Sequence, residues 1–334
     1  MRVVNSFAEP DAGDSNPRGF KSAPASWYHL GSTAEIMRSP KRFELPDRKS
    51  FVGFHAPGRG FAVIDARCSH MGADLSRGRV KNGCLACPLH GWEYATDGVC
   101  ERIPSSPEVP AFARQQAFPV EVRSGHVFFF NRQEARFPMP FFDGVAPDDL
   151  RPAPAFDIRD DVPWYLIGGN GFDRQHFEGT HDRNLLEEPT VDSPHPFARR
   201  IRLSLGIGGT SYIDRLTRAF AGQQSKMTVT SWCGTLIFAT AQFRHTTNYG
   251  LVAVQPLEGG ATRCRVIVWV RRSRGALASR CFDPVHALMR RHVIKVFLKS
   301  DLGKLTGTRY DPGRMIAADK MLVDYLAWLQ SIHH

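Results

Sequence analysis

The sequence predicts an α+β chain in two unequal parts. A small all-β domain comes first, then a larger domain whose antiparallel sheet carries its helices on one side. Three observations lead there. Short β-patterned runs between Gly and Pro clusters fill the first third, almost without helical periodicity. Longer β-branched runs follow from residue 198 onward. Two helical blocks close the chain. The length of 334 residues suits about two domains at ~150 residues each. With 42% hydrophobic and 23% charged residues, usage is ordinary for a globular chain and excludes a disordered, collagen-like or coiled-coil one.

Taken in order, residues 1–24 are rich in Pro, Gly, Ser and Asp and read as a flexible arm. Within 25–132, the segments 50–55, 60–65 and 125–131 alternate and end at turn residues, as strands do. Residues 133–155 hold five prolines and no periodicity, and read as an interdomain linker. The second domain occupies 156–334. There, 171–182 reads as a helix, and 198–206, 226–233, 234–242, 247–256 and 261–270 read as strands of one large sheet. Residues 284–305 and 317–332 read as helices.

Charge and cysteine content narrow the function classes. Lys plus Arg is 43 against 33 acidic residues, a net charge of +10. The excess is mostly Arg, spread along the chain in short doublets and without a nucleic-acid-binding motif, so no nucleic-acid partner is expected. A diffuse basic surface suits an acidic protein partner. The longest apolar runs, 127–130 and 266–270, fall far short of the ~20 residues of a membrane helix. No apolar leader stands in 1–24, so the expected place is the cytoplasm. Seven cysteines, an odd number in a long chain without an export signal, point to metal binding or plain burial rather than a disulfide scaffold.

Cys68-x-His70, sixteen intervening residues, then Cys87-x-x-His90 bring two thiols and two imidazoles as two close pairs on neighbouring loops. That is a donor set for a soft or borderline metal. Incidental Cys and His in a turn-rich domain is one reading. Structural zinc is another, although Cys-x-His is tighter than finger spacing and no helix follows to carry the histidines. The third is a Rieske [2Fe–2S] cluster, with two Cys on one iron and two His on the other. Cys84 and Cys100 read as buried small hydrophobes.

A second set is Asp173-x2-His176-x4-His181. Asp173 and His176 share a helical face at i,i+3. His176 and His181 are five apart, which a straight helix splays by roughly 140°. For both to face one ion, the helix is expected to bend or end between them, at Gly179. A two-His-one-carboxylate site with open positions is the usual holder of non-haem Fe(II). For the carboxylate we select Asp301, which falls on a stripe with Val293 and Phe297, beside Val296. A carboxylate buried among apolar residues wants a cation. The competing reading makes Asp301 a cap at a helix break before Leu302-Gly303. Asp283 reads as a cap before Pro284, and Asp311-Pro312-Gly313 as a turn. Asp319 fits the carboxylate role less well than Asp301.

Both motifs, with Met71-Gly72-Ala73 after the first loop histidine and Gly91-Trp92 after the second, resemble the Rieske non-haem iron oxygenases, over roughly residues 25–334. Gly98-Val99-Cys100, Ile103-Pro104 and the ending around Asp319-Lys320-Met321-Leu322-Val323, Tyr325 and Trp328 are similar to one branch. That branch holds aminopyrrolnitrin oxygenase, ketosteroid hydroxylase oxygenase components and cholesterol desaturases. The family's pattern at the third ligand often carries a Trp; here Asp301-Leu-Gly-Lys-Leu305 does not. The resemblance implies a Rieske domain at 25–132 and a helix-grip catalytic domain at 156–334. It implies a [2Fe–2S] cluster on Cys68, His70, Cys87 and His90, and a mononuclear Fe(II) on His176, His181 and Asp301. Asp173 would bridge to a cluster histidine of the neighbouring subunit in a homotrimer. Asn170 matches a further family feature whose role is open.

The implied activity is O₂-dependent oxidation of a small organic, aromatic or polycyclic substrate, as a monooxygenase. Electrons would come from NAD(P)H through a reductase or ferredoxin. The alternatives are a non-catalytic Rieske electron carrier or sensor, and a zinc-binding interaction module. Phe220, Phe238, Phe243, Tyr249 and Trp269 are candidate pocket liners, though each is more often simply core.

Overall fold

A computed structural model describes residue 20 and residues 23–332, except 48, 182 and 211. Nearly all of the expected amino-terminal arm thus lies outside the described residues. Phe20, at its end, is buried and stacks on Tyr165 with ring centroids 4.0 Å apart.

The first domain holds β1 (Trp27–Ser32), α1 (Thr33–Arg38), β2 (Lys41–Glu44), β3 (Ser50–Ala56), β4 (Gly60–Asp65), β5 (Arg79–Lys81), β6 (Cys84–Ala86), β7 (Glu93–Tyr94), β8 (Cys100–Arg102), β9 (Ala117–Phe118), β10 (Val120–Arg123) and β11 (His126–Phe130). They form three small antiparallel sheets: β1-β11-β10, β2-β3-β4-β9 and β5-β6-β7-β8. Tyr28, Phe43, Phe51 and Phe129 fill the core under the first two. Phe54, Leu75, Leu85 and Tyr94 fill a second core beneath the third sheet. The short helix α1 is set by Ser32 and Glu35, which cap each other's backbone N–H groups.

The second domain is built on a nine-stranded sheet. Its strands are β12 (Leu150–Pro152), β13 (Phe156–Asp160), β14 (Arg183–Leu185), β15 (Thr190–His195), β16 (Ala198–Ile207), β17 (Gln224–Trp232), β18 (Leu236–Gln242), β19 (Thr247–Pro256) and β20 (Thr262–Arg271). The spine runs β12-β20-β19-β18-β17-β16-β14, with β13 also on β20 and β15 on β16. The helices are α2 (Trp164–Gly169), α3 (Arg174–His181), α4 (Tyr212–Phe220), α5 (Ala276–Leu305) and α6 (Lys320–Ser331).

Alternation along the strands divides the sheet into two faces. Val229, Ile237, Val254 and Val266 meet α2, α5 and α6 on one face. Phe238, Tyr249, Leu251 and Trp269 point the other way, into a core shared with Trp27, Phe128 and Phe130 of the first domain. Helices α2, α3, α5 and α6 are therefore gathered on one side, as expected, and the first domain covers the other. The proline-rich stretch is packed into that seam: Phe137, Met139 and Phe142 are buried there, and each such side chain contributes about 1.5–3 kcal/mol.

Helix α5 departs from expectation at its start. It begins at Ala276, so Pro284 lies inside it and Asp283 is not its cap. Asp283 is buried and accepts from Ser273 N–H, Ser273 Oγ and Ser279 Oγ, tying the preceding loop to the first turns. The stripe of Val293, Val296 and Phe297 also differs. These residues are 36–43% exposed. The helix packs through Ala287 and Leu302, with Ile294, Leu298 and Leu305 half-buried beside them.

Candidate functional site

The four Cys and His residues of the first constellation sit on two matching loops. One follows β4, and the other joins β6 to β7. In the first, Gly72 N–H donates to Cys68 C=O at 2.8 Å and Cys68 N–H to Ala73 C=O at 2.9 Å. In the second, Gly91 N–H donates to Cys87 C=O at 3.0 Å and Cys87 N–H to Trp92 C=O at 2.8 Å. Gly72 and Gly91 take φ of +72° and +70°, the left-handed conformation that closes each turn and that glycine adopts without strain. A Cβ on Gly91 would also press on Pro104 Cγ at 3.1 Å.

The two loops thereby pair like with like. His70 and His90 bring their Nδ1 atoms to 3.1 Å. Two nitrogens bound at ~2.1 Å to one tetrahedral ion stand ~3.4 Å apart, so the imidazoles are already close to a shared-ion geometry. The Cys68 and Cys87 thiols are close enough for each to act on the other. Burial pushes the Cys87 thiol up, and Cys68 adds to this. The backbone N–H groups of Leu89 and His90, aimed at the sulfur, pull it down. Among the described residues no three His, Cys, Asp or Glu side chains meet around one point. A Rieske cluster takes two Cys on one iron and two His on the other.

The surroundings support the pairs. Trp92 stacks on His70 at 4.6 Å. Tyr94 Oη lies 3.1 Å from Cys68 Sγ and 3.0 Å from Ser69 Oγ. Both thiols are buried, whereas His70, His90, Met71, Leu89 and Phe112 are exposed. Sequence reasoning missed Tyr94, whose only signal is its position two residues beyond Trp92 on a two-residue strand. Cys84 and Cys100 are buried as expected. Cys84 Sγ also donates to Glu101, and burial followed by that carboxylate pushes its thiol up to about 12.

The second set lies in the other domain, on the helical face of the sheet. A 3₁₀ turn, Asn170–Phe172, leads into α3, and Phe172 stacks on Tyr325 of α6 at 4.3 Å. Asp173 Oδ1 accepts from His176 N–H at 3.2 Å, so Asp173 caps α3 while remaining half-exposed. His176 is buried, and its Nε2 stands 2.7 Å from Asp301 Oδ1. Asn170 Nδ2 donates to Asp301 Oδ2 at 3.1 Å and lies 3.2 Å from His176 Nε2. Asp301 is 5% exposed and sits inside α5, four residues before its end. It is therefore a buried carboxylate facing a histidine and not a cap at a break.

The expected interruption of α3 at Gly179 does not occur. The helix runs through it and ends at His181, whose side chain lies outside the described residues. The 2.7 Å between His176 Nε2 and Asp301 Oδ1 is close to the ~3.0 Å separation of neighbouring ligands on a first-row ion at ~2.1 Å. One imidazole and one carboxylate are donors suited to Fe(II), and the Asn170 amide holds the carboxylate from beside them.

The residues beside this site differ from those expected. Phe238, Tyr249 and Trp269 belong to the opposite face of the sheet. The Phe220 side chain lies outside the described residues, and Phe243 is half-buried. A Cβ on Gly171 would meet Val229 Cγ1 at 3.2 Å, so the turn rests on Val229. The next residues across the strands are Ala239, Gly250 and Val268. A Cβ on Gly250 would find, among the described residues, only Ala239 C=O within 4 Å, at 3.9 Å.

Comparison with known proteins identifies the first part of the chain. Residues 26–113 match the family model described as Rieske [2Fe-2S] domain. The oxygenase component of 3-ketosteroid-9-alpha-monooxygenase from Mycobacterium tuberculosis is 34% identical over 172 residues, covering 51% of this chain and 41% of that one. Aminopyrrolnitrin oxygenase PrnD of Pseudomonas fluorescens is 37% identical over 111 residues, 31% of this chain and 30% of that one. Cholesterol 7-desaturase nvd 1 of Ciona intestinalis is 31% identical over 127 residues, 38% of this chain and 26% of that one. The match thus spans less than half the length of each of these curated relatives.

Among solved structures, NdmB of Pseudomonas putida CBB5 superposes with a TM-score of 0.68 at 18% identity, over 92% of this chain and 90% of that one. Dicamba monooxygenase bound to dicamba gives 0.65 at 15% identity, over 93% and 97%. The chain carries a Rieske [2Fe–2S] domain. Over part of its length it is similar in sequence to these oxygenase components, and its α+β fold is similar to that of the solved oxygenases.

Proposed function

We propose that this chain is the oxygenase component of a Rieske system. It oxidises a small organic substrate, aromatic or polycyclic, by hydroxylation, N-oxygenation or desaturation, most simply as a monooxygenase. Cys68, His70, Cys87 and His90 hold the [2Fe–2S] cluster, and His176, His181 and Asp301 hold a mononuclear Fe(II). When bound, the cluster supplies single electrons and the Fe(II) activates O₂. The observation that carries this reading is the buried meeting of His176 with Asp301 under Asn170. An imidazole and a carboxylate brought together in a buried place are the donor types of a non-haem iron site, and a Rieske electron carrier has no use for one.

The chain's own residues divide the work. Asn170 fixes the orientation of the Asp301 carboxylate, and Asp173 fixes the first turn of α3 and hence the His176 backbone. On the sheet face where Val229 supports Gly171, the neighbouring Ala239 and Gly250 are uncharged, and the space over Gly250 is open. That supports an apolar, flat substrate. The domain division is kept at 25–132 and 156–334.

Electrons come from NAD(P)H through a reductase or ferredoxin, for which the net charge of +10 suits an acidic surface. The working state is a homotrimer in which Asp173 of one subunit bridges to His70 or His90 of the next. The exposure of those histidines, and of Leu277, Phe282, Val285, Leu288 and Met289 along α5 at 51–77%, supports association. The compartment is the cytoplasm, which suits an odd number of cysteines, seven, of which two hold the cluster. No helix among the described residues is long and apolar enough to cross a membrane.

The test is nitric oxide binding to the Fe(II)-loaded, dithionite-reduced protein, read by electron paramagnetic resonance. A high-spin iron–nitrosyl signal that disappears in Asp301→Ala, with the Rieske signal intact, is expected. A Rieske signal alone, with no nitrosyl species in the wild type, returns the chain to the electron-carrier class.

A further inference from the structure

A crevice of about 270 Å³ separates β1 and β2 of the Rieske domain from β19 and β20 of the large sheet. Its walls carry Lys41, Arg42, Arg263 and Arg265, against the single carboxylate of Glu44. Arg42 is satisfied by Glu44 at 2.6 Å and Asp74 at 2.8 Å. The other three cations share two carboxylates that stand behind the wall. Glu35 takes Lys41 at 3.5 Å and Arg265 at 3.0 Å, and Asp157 takes Arg263 at 2.5 Å and Arg265 at 3.6 Å. With Arg42's partners counted the wider network is neutral. The positive excess is local, one charge on the Lys41–Arg263–Arg265 side.

The neighbouring groups register that excess. Burial lowers Lys41, and Arg265 and Arg263 lower it further against the pull of Glu35. Burial first, then His126, Arg265, Lys41 and Arg263, holds His29 well below the ordinary histidine range, so it stays neutral. His29 also lines the crevice. It is 7% exposed, and its Nε2 is spent on His126 Nδ1 at 3.0 Å. Its Nδ1 has no partner among the described residues. The guanidinium of Arg265 uses Nη1 and Nη2 for its ion pairs and leaves Nε uncommitted.

We infer that this crevice is a binding site for a small oxyanion, the head group of an organic carboxylate or a phosphate, held by Lys41, Arg263 and Arg265. One negative charge completes the local balance. The walls come from both domains, so the bound anion fastens the Rieske domain to the sheet. Lys41 and Arg263 side chains remain 28% and 39% exposed, so an entering anion reaches them without unfolding the seam. The site is separate from the iron ligands, and the inference does not rest on the oxygenase reading.

The test uses the 334-residue chain with its cluster, titrated calorimetrically with sodium benzoate and, separately, inorganic phosphate, with sodium chloride at equal ionic strength as the control. Thermal midpoints are read in parallel. Saturable millimolar or tighter binding of benzoate or phosphate, with a rise in midpoint that chloride does not reproduce, is expected. Binding should weaken at least tenfold in Arg263→Gln and in Lys41→Met. Whichever arm binds identifies the source of the anion. The Rieske spectrum of each variant reports that the fold is kept, and a charge-preserving Lys41→Arg should retain binding. No saturable binding in either arm, or equal binding in wild type and both neutralised variants, overturns the inference.

Discussion

Replacing Asn170 with Ala isolates the part of the mononuclear site that the sequence left undefined. Asn170 is not one of the proposed ligands. Its Nδ2 reaches Asp301 Oδ2 at 3.1 Å and His176 Nε2 at 3.2 Å. When an ion takes the Nε2 lone pair, the second contact is given up and the bond to Oδ2 remains. Removing a hydrogen bond that orients a metal-bound carboxylate costs about 10–100-fold in metal affinity, equivalent to ~1.4–2.7 kcal/mol. The assay is anaerobic Fe(II) titration against a competing chelator, with the Rieske absorbance as internal standard. Asn170→Ala should bind the mononuclear iron 10–100-fold more weakly and keep its cluster. Asn170→Gln, which retains the amide, should recover part of the loss. An affinity within twofold of wild type would show that Asp301 is not oriented by Asn170, and the site as drawn would be wrong.

Three further outcomes follow from the same geometry. Tyr94→Phe removes the hydroxyl at 3.1 Å from Cys68 Sγ. A donor to sulfur favours the more negative, reduced cluster, so losing a bond of ~0.5–1.5 kcal/mol should lower the reduction potential by roughly 20–65 mV. Protein-film voltammetry that finds no change, or a rise, would refute this.

Glu35 is held down at about 2, because hydrogen bonds from Ser32 and the charges of Arg265 and Lys41 outweigh its burial. A depressed carboxylate stabilises the fold above its unfolded value and loses that contribution as the pH falls through the folded one. Wild type should therefore exceed Glu35→Gln in urea stability near neutrality, and the difference should shrink between about pH 5 and pH 2. A difference that grows with acid would contradict the assignment. Gly250→Leu fills the space where only Ala239 C=O lies within 4 Å. Once a substrate is in hand, kcat/KM should fall at least tenfold with iron content unchanged, whereas equal turnover would place the substrate elsewhere.

How much of this was legible in sequence depends on the range of each interaction. The Cys68–His70 and Cys87–His90 pairs are local, closed by bonds three to five residues long around Gly72 and Gly91, so spacing alone revealed them. The five long strands were legible because they alternate over 7–10 residues. Which face met which neighbour was not. Phe238, Tyr249 and Trp269 read as liners, yet they face the Rieske domain, since both faces of this sheet are apolar.

The start of α5 was misplaced because Asp283-Pro284 resembles a cap and first turn. Inside the helix Pro284 would remove only a bond to Arg280, which lies on the exposed side. Asp301 was found by its stripe, but for a reason that proved only half right, since Val293 and Phe297 are not core. Its contacts with His176 and Asn170 are tertiary, and no local pattern encodes them.

The measurement closest to the central claim is iron and acid-labile sulfide per chain, on anaerobically purified protein beside His176→Ala. Three irons and two sulfides are expected in wild type. The variant should lose one iron and keep both sulfides. Two irons and two sulfides in both proteins, even after Fe(II) reconstitution, would mean that His176, His181 and Asp301 build no iron site, and the oxygenase reading would fall.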